Sequence, residues 1–236
     1  MKLYSLALLA SVLGLSRVNA NAVVVGQYDI AADFSTSSNP NGAWSYGYST
    51  TLGGSLILHA STTAHPAYTS IDNWHTDLGY GVPVILRNST SVAVTNDTGT
   101  IVLGAGQLAS HSGTSGEFSV IRFTSPAAGL FNVSGSFLGA DLVGTTTDVH
   151  ILLNGSEVFA GSVLGFSTGS GPSFNSNWSF SAGDTLDFVV GWGNGDFTSD
   201  ATLISAVITQ VPEPGAAAML ALGGLALVLR SARRRC

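Results

Sequence analysis

The sequence predicts an all-β fold: a single antiparallel β-sandwich of jelly-roll type, flanked by an N-terminal signal helix and a C-terminal transmembrane helix. Three observations predict it. Between Asn21 and Gln210 no stretch of useful length keeps the 3.6-residue apolar period of an amphipathic helix. About a dozen short runs there alternate apolar and polar residues and stop at Gly, Ser, Asn or Pro. The long, unbroken apolar stretches fall at the two ends, over 3–15 and 215–229.

Taken in order, residues 1–20 (or 1–22) form the signal segment. Lys2 supplies the positive start, 3–15 is the apolar stretch, and Val18-Asn19-Ala20 and Ala20-Asn21-Ala22 both suit a signal peptidase. Thirteen apolar residues are short for a permanent span, which needs about 20. Strands are expected over 28–34, 44–48, 55–59, 84–88, 100–103, 117–123, 129–137, 148–153, 157–159, 177–180, 185–190 and 203–208. The Ser/Thr/His-rich stretch 60–81, carrying Trp74 and Tyr80, is expected as a loop. Asn154-Gly155 favours the type I′ turn of a tight hairpin. The run 119–123 alternates well enough to bury Val120 and expose Ser119, or the reverse. Leu186, Phe188 and Val190 share one face if Asp187 points away. No linker or charge run divides the region, so 21–210 is expected as one domain.

The tail, 211–236, has three parts. Val211-Pro212-Glu213-Pro214 stops the last strand and keeps the chain extended. The run 215–229 is uncharged; as a helix it would reach about 22 Å, short of a hydrocarbon core of about 30 Å. Arg230, Arg233, Arg234 and Arg235 then hold the end in the cytoplasm, facing the domain outward. This order resembles the PEP-CTERM sorting signal, which implies processing by exosortase in a Gram-negative bacterium that makes exopolysaccharide. Two stretches of the domain, 39–48 and 120–129, resemble lectin-like or carbohydrate-binding-like jelly rolls.

Charge narrows the partners. Only 9% of residues are charged, against about 25% in ordinary domains. Arg87 and Arg122 are the two cations of residues 21–210, against thirteen acids, a formal charge of −11. Such a surface repels nucleic acid and leaves cations or neutral, hydroxyl-rich partners. The lone cysteine, Cys236, makes no internal disulfide.

Catalytic patterns are scarce. The sequence holds no nucleophile elbow, HExxH, Walker loop or CxxC, and a non-enzymatic role is expected. His59, His65, His75, His111 and His150 are scattered without metal-ligand spacing. A zinc site from His65 and His75 with Asp72 or Asp77 is outweighed by plain loop polarity. Asn194, Asp196 and Asp200 beside Gly193 and Gly195 offer hard oxygens for Ca²⁺, or simply fill turns. Asp187 and Asp200 are the carboxylates a glycosidase reading would use. Trp44, Tyr46 and Tyr48 share one strand face, as a sugar-stacking surface or as core. Trp74 and Trp192, beside turn residues, are the candidates for exposed stacking.

The expectation is an exported, exosortase-processed surface or extracellular-matrix protein that binds envelope or exopolysaccharide glycans. Its precursor would be tethered to the inner membrane. A hydrolase of envelope polysaccharide and a purely structural or adhesive sandwich are the alternatives.

Overall fold

The computed structural model describes residues 26–63, 67–69 and 71–212. The signal segment, His65, Glu213, Pro214 and the four tail arginines lie outside the described residues.

Fifteen strands make up the described chain: β1 (Gln27–Asp29), β2 (Trp44–Ser49), β3 (Ile57–Leu58), β4 (Asp72–His75), β5 (Val84–Arg87), β6 (Val94–Thr95), β7 (Val102–Leu103), β8 (Leu108–His111), β9 (Phe118–Thr124), β10 (Gly129–Gly139), β11 (Thr145–Leu153), β12 (Ser156–Gly165), β13 (Ser173–Phe180), β14 (Thr185–Val190) and β15 (Thr202–Gln210). One sheet runs β13-β10-β15-β8-β5-β4 with β1 also on β15; the other runs β12-β11-β14-β9-β2-β3; β6 and β7 pair by themselves. Every pairing is antiparallel. From β8 onward the orders β13-β10-β15-β8 and β12-β11-β14-β9 are the strand orders of a jelly roll.

Alternation sets what the sheets bury. Phe131, Val133 and Phe137 of β10, Phe174 and Phe180 of β13, and Ile204 and Ile208 of β15 meet Phe123 of β9, Val149 of β11 and Phe188 of β14 in one core. The rings interlock edge to face, as with Phe131–Phe180 at 5.2 Å and Phe123–Phe180 at 6.2 Å. Leu186, Phe188 and Val190 do share this face. Asp187 points the other way and stands opposite Arg122 of β9 in register. The two are joined by a forked pair of hydrogen bonds, Nε to Oδ1 at 2.6 Å and Nη2 to Oδ2 at 2.8 Å. Asn154 and Gly155 take φ of 51° and 77°, both in the left-handed region that a type I′ turn demands.

A second apolar cluster sits on the outside of the first sheet. Tyr68, Ile71, Ile101 and Leu103 cover Val84 and Leu86 of β5, Ala109 of β8 and Leu203 of β15. β5 and β8 are therefore buried on both faces, and β8 escapes an alternation search. The stretch expected as a loop over 60–81 holds β4, whose Trp74 reaches the main core. Ser119 and Val120 are both buried, so β9 too is covered on each side. β1 is shorter than expected because Asp29 Oδ1 accepts the N–H groups of Ala31 and Ala32 and turns the chain.

Candidate functional site

At one end of the sandwich, loops from five places enclose an open cavity of about 720 Å³. Tyr80 stands at its mouth, 78% exposed. Its position follows from turn chemistry. Gly79, Tyr80 and Gly81 all have positive φ, at 129°, 56° and 76°. Asp77 Oδ1 accepts the N–H groups of Gly79 and Gly81, both at 3.0 Å. Thr114 donates its hydroxyl to Leu78 O at 3.0 Å and ties this turn to the β8–β9 connection. A tyrosine in the left-handed region is uncommon, and here it points the ring outward.

The wall beside it is the β14–β15 connection. Asn194 Oδ1 accepts Asp196 N–H at 2.8 Å, and Asp196 Oδ1 accepts both N–H and hydroxyl of Thr198. Between them Phe197 packs on the second apolar cluster and stacks on Tyr80, with ring centroids 5.7 Å apart and planes 26° from parallel. Despite this stack Tyr80 stays 78% exposed.

Polar groups line the remainder. Asp97 accepts the N–H of Thr69 at 2.9 Å and its hydroxyl at 2.8 Å. These two hydrogen bonds, the backbone one first, hold its carboxyl below the usual carboxylate range. Asn96 Oδ1 accepts the N–H groups of Thr100 and Ile101, and its amide donates to Thr98 Oγ1 at 2.6 Å. Asp141 Oδ1 accepts Val143 N–H at 2.9 Å. His111 donates from Nδ1 to Ser112 O at 2.9 Å, which leaves the lone pair on Nε2. Burial pushes its pKa down, so the ring is neutral at pH 7. Among the lining residues there are two carboxylates and no Lys or Arg. The cavity thus offers an aromatic face, hydroxyls and acceptors, which suits a neutral polyol.

The residues singled out from sequence fall elsewhere. Trp44 and Tyr46 are 1% and 0% exposed because β2 is an interior strand whose inward face carries them. Trp44 donates Nε1 to Asp33 Oδ2 at 3.1 Å and packs on Phe123. Tyr48, at the end of the strand, is half-buried and stacks on His59 at 5.8 Å. Trp74 is 7% exposed and donates Nε1 to Ser35 O at 2.8 Å. Trp192 is half-buried, with Nε1 donated to Gly113 O at 2.5 Å. None of the five lines the cavity: Trp44, Tyr46 and Trp74 are taken up in the core, and Tyr48 and Trp192 lie half-buried elsewhere.

Asn194 and Asp196 act as the turn residues that aim Phe197. Asp200 is fully buried, with Ser112 Oγ donating to it at 3.1 Å. Among the described residues no group of three or more His, Cys, Asp or Glu side chains is placed to hold a metal. Asp187, clamped by Arg122, and Asp200, buried beside Ser112, do not meet across a cleft.

The sequence places Tyr80 in the expected loop without marking it as a site residue; the local signal is Asp77-Leu78-Gly79-Tyr80-Gly81, in which the Asp77 carboxylate and two glycines set the turn that exposes the ring.

No family model matches the chain. No curated protein matches it either. Among solved structures, it is similar to the CBM51 module from the GH95 of Clostridium perfringens in complex with methyl-galactose, at 18% identity and TM-score 0.35, over 56% of this chain and 90% of that one. A family 35 carbohydrate-binding module from Clostridium thermocellum shows 12% identity and TM-score 0.27, over 59% and 87%. Pika GITRL shows 13% identity and TM-score 0.25, over 41% and 75%. At such TM-scores these likenesses carry no argument about what the chain binds.

Proposed function

We propose that the chain is an exported, non-enzymatic surface or extracellular-matrix protein of a Gram-negative bacterium, and that it binds a neutral glycan in the Tyr80 cavity. Signal peptidase and exosortase would process its ends, as the resemblance of the tail implies. One observation carries the binding reading. A tyrosine ring 78% exposed is propped from behind by Phe197, over a cavity lined with hydroxyls and carboxylates and free of cations. Sugar rings stack their C–H faces on such a surface, and the acceptors orient their hydroxyls.

Asp97 and Asp141 both line the cavity, which is the observation that favours a hydrolase. The hydrogen bonds of Thr69 lower Asp97, which suits the base of a glycosidase pair and not its acid, whereas the exposed Tyr80 ring stacked on Phe197 serves a bound sugar without any reaction. Binding is the better reading.

The test is a glycan array probed with the full-length chain and with Tyr80→Gly. Glycine removes the ring and suits the positive φ, so a lost signal is not unfolding. Neutral glycans should bind, and Tyr80→Gly should weaken them tenfold or more, about 1.4 kcal/mol. Undiminished binding would overturn the reading, and release of reducing ends from the same glycans would favour the hydrolase.

A further inference from the structure

Arg122 is committed to Asp187, so Arg87 is the one cation among the described residues not held by a carboxylate. It stands at the end of β5 in a second cavity, of about 360 Å³, that shares no lining residue with the Tyr80 cavity. A split in the sheet opens this space. β15 pairs with β8 at Thr202 and Leu203 and with β1 from Val207 to Thr209, and residues 204–206 border the gap between.

The gap has side-chain donors to spare. Arg87 Nε donates to Ala31 O at 2.6 Å and Nη1 to Asn88 O, while Nη2 has no hydrogen-bond partner among the described residues. Gly106, at φ 74°, passes beside the guanidinium: a Cβ there would make ordinary contact, 3.8 Å from Nη1 and Nη2. Gln107 uses Oε1 to accept Gly104 N–H at 2.6 Å, which leaves its NH₂ to donate. Ser136 and Ser205 share one hydrogen bond of 3.1 Å, so one hydroxyl proton stays free. Asp29, at the rim, is the opposing charge, and its Oδ1 already accepts two backbone N–H groups. Leu138 and Leu203 give the cavity an apolar wall.

We propose that this cavity is a second subsite, which takes the carboxylate of an acidic sugar, a uronate. Arg87 Nη2 and the Gln107 amide donate to the carboxylate, because a guanidinium with a free N–H edge recognises a planar anion best. The sugar ring lies against Leu138 and Leu203. With both sites filled, one chain bridges a neutral and an acidic polysaccharide.

The net negative charge of the domain repels a polyuronate at range, so the probe is monomeric glucuronate at about 0.15 M salt, where repulsion is screened within about 8 Å. Calorimetric titration of the full-length chain should show glucuronate binding that Arg87→Gln weakens tenfold or more. Arg87→Gln also loses the bonds to Ala31 and Asn88, so Ser205→Leu is the second variant: it fills the cavity from an exposed position and leaves the guanidinium alone. It too should weaken glucuronate tenfold while the melt stays unchanged. Tyr80→Gly should leave glucuronate binding intact, which separates this subsite from the neutral-glycan reading. Absence of binding at millimolar glucuronate, or binding that survives Ser205→Leu, overturns the proposal. Inorganic phosphate binding as well as glucuronate overturns the sugar class.

Discussion

Asp200 has no exposed surface, and its Oδ1 has no hydrogen-bond partner among the described residues. Burial first, then the charges of Asp196, Asp148 and Asp141, push its carboxyl up to about 8 against the one bond from Ser112. An unfolded aspartate titrates near 3.9, so the folded state keeps a proton that the unfolded state gives up. Stability from this group is therefore lost as pH rises from about 4 to about 8. His150 adds to the trend. Burial opposes its charge, but the hydrogen bonds it donates, from Nε2 to Asp148 at 3.0 Å and from Nδ1 to Glu157 at 2.6 Å, prevail and raise its pKa. Its contribution is full below the ordinary value near 6.5 and is lost as pH rises through the raised one. Thermal melts from acid to alkaline pH should show Asp200→Asn gaining stability at the alkaline end, on the order of 2–4 kcal/mol, and little near pH 4. His150→Gln should lose more below pH 6 than above 8, by less than about 1 kcal/mol because Glu157 is half open to solvent. Shifts of equal size at every pH would sink both assignments. Residue identity alone did not reveal the site. Trp74 and Tyr80 lie six positions apart in one polar stretch, and only the strand pairing of β4 decides which of them is core.

At the scale of elements, legibility followed solvent. β10, β14 and β15 keep an inward face of Phe, Leu, Val and Ile, and alternation finds them. β8 was hidden because Leu108 and Ala109 face different apolar clusters, so no polar face marks it. The close approach of β10 to β15 also left a sequence mark, Gly135. A Cβ there would lie 1.9 Å from Ser205 O and 2.7 Å from the tip of the Phe174 ring. Phe174, the partner of Gly135 in register, fills the space that glycine leaves. Gly135→Ala should therefore push two strands apart and cost on the order of 3 kcal/mol, a melting temperature lower by roughly 6–12 °C. Gly155→Ala, in the open hairpin turn, meets no such backbone: only Gly53 O lies within 4 Å, at 3.6 Å. It should cost only the left-handed strain at φ 77°, about 1 kcal/mol. If the two melts fall equally, contact between β10 and β15 is not what demands Gly135.

At the scale of the whole molecule, the way the domain ends bears on how the tail is handled. β15 lies between β10 and β1 and stays paired to its last residue, where Gln210 N–H donates to Gly26 O at 2.9 Å. Val211 N–H still donates to Leu130 O at 2.8 Å. Pro212, next in line, has no N–H to donate, so pairing stops there. The Pro-Glu-Pro stretch thus follows the sandwich without a spacer, on the outer side of the apolar run if the arginines hold the end in the cytoplasm. A cut by a membrane-embedded processing enzyme at the motif would leave every bond of β15 in place. Two outcomes are expected. In the native host the mature protein should lose the tail near Pro212–Pro214, and alanine at Pro212, Glu213 and Pro214 should leave intact precursor in the inner membrane. Precursor and mature protein should melt at the same temperature, because β15 and the backbone bonds at Gln210 and Val211 all lie before the motif. Intact mass and membrane fractionation read the first, and thermal melts of the two forms read the second. Wild type and triple variant carrying the tail alike would reduce the motif to a linker, and a mature form that melts lower would mean that the tail contributes to the fold.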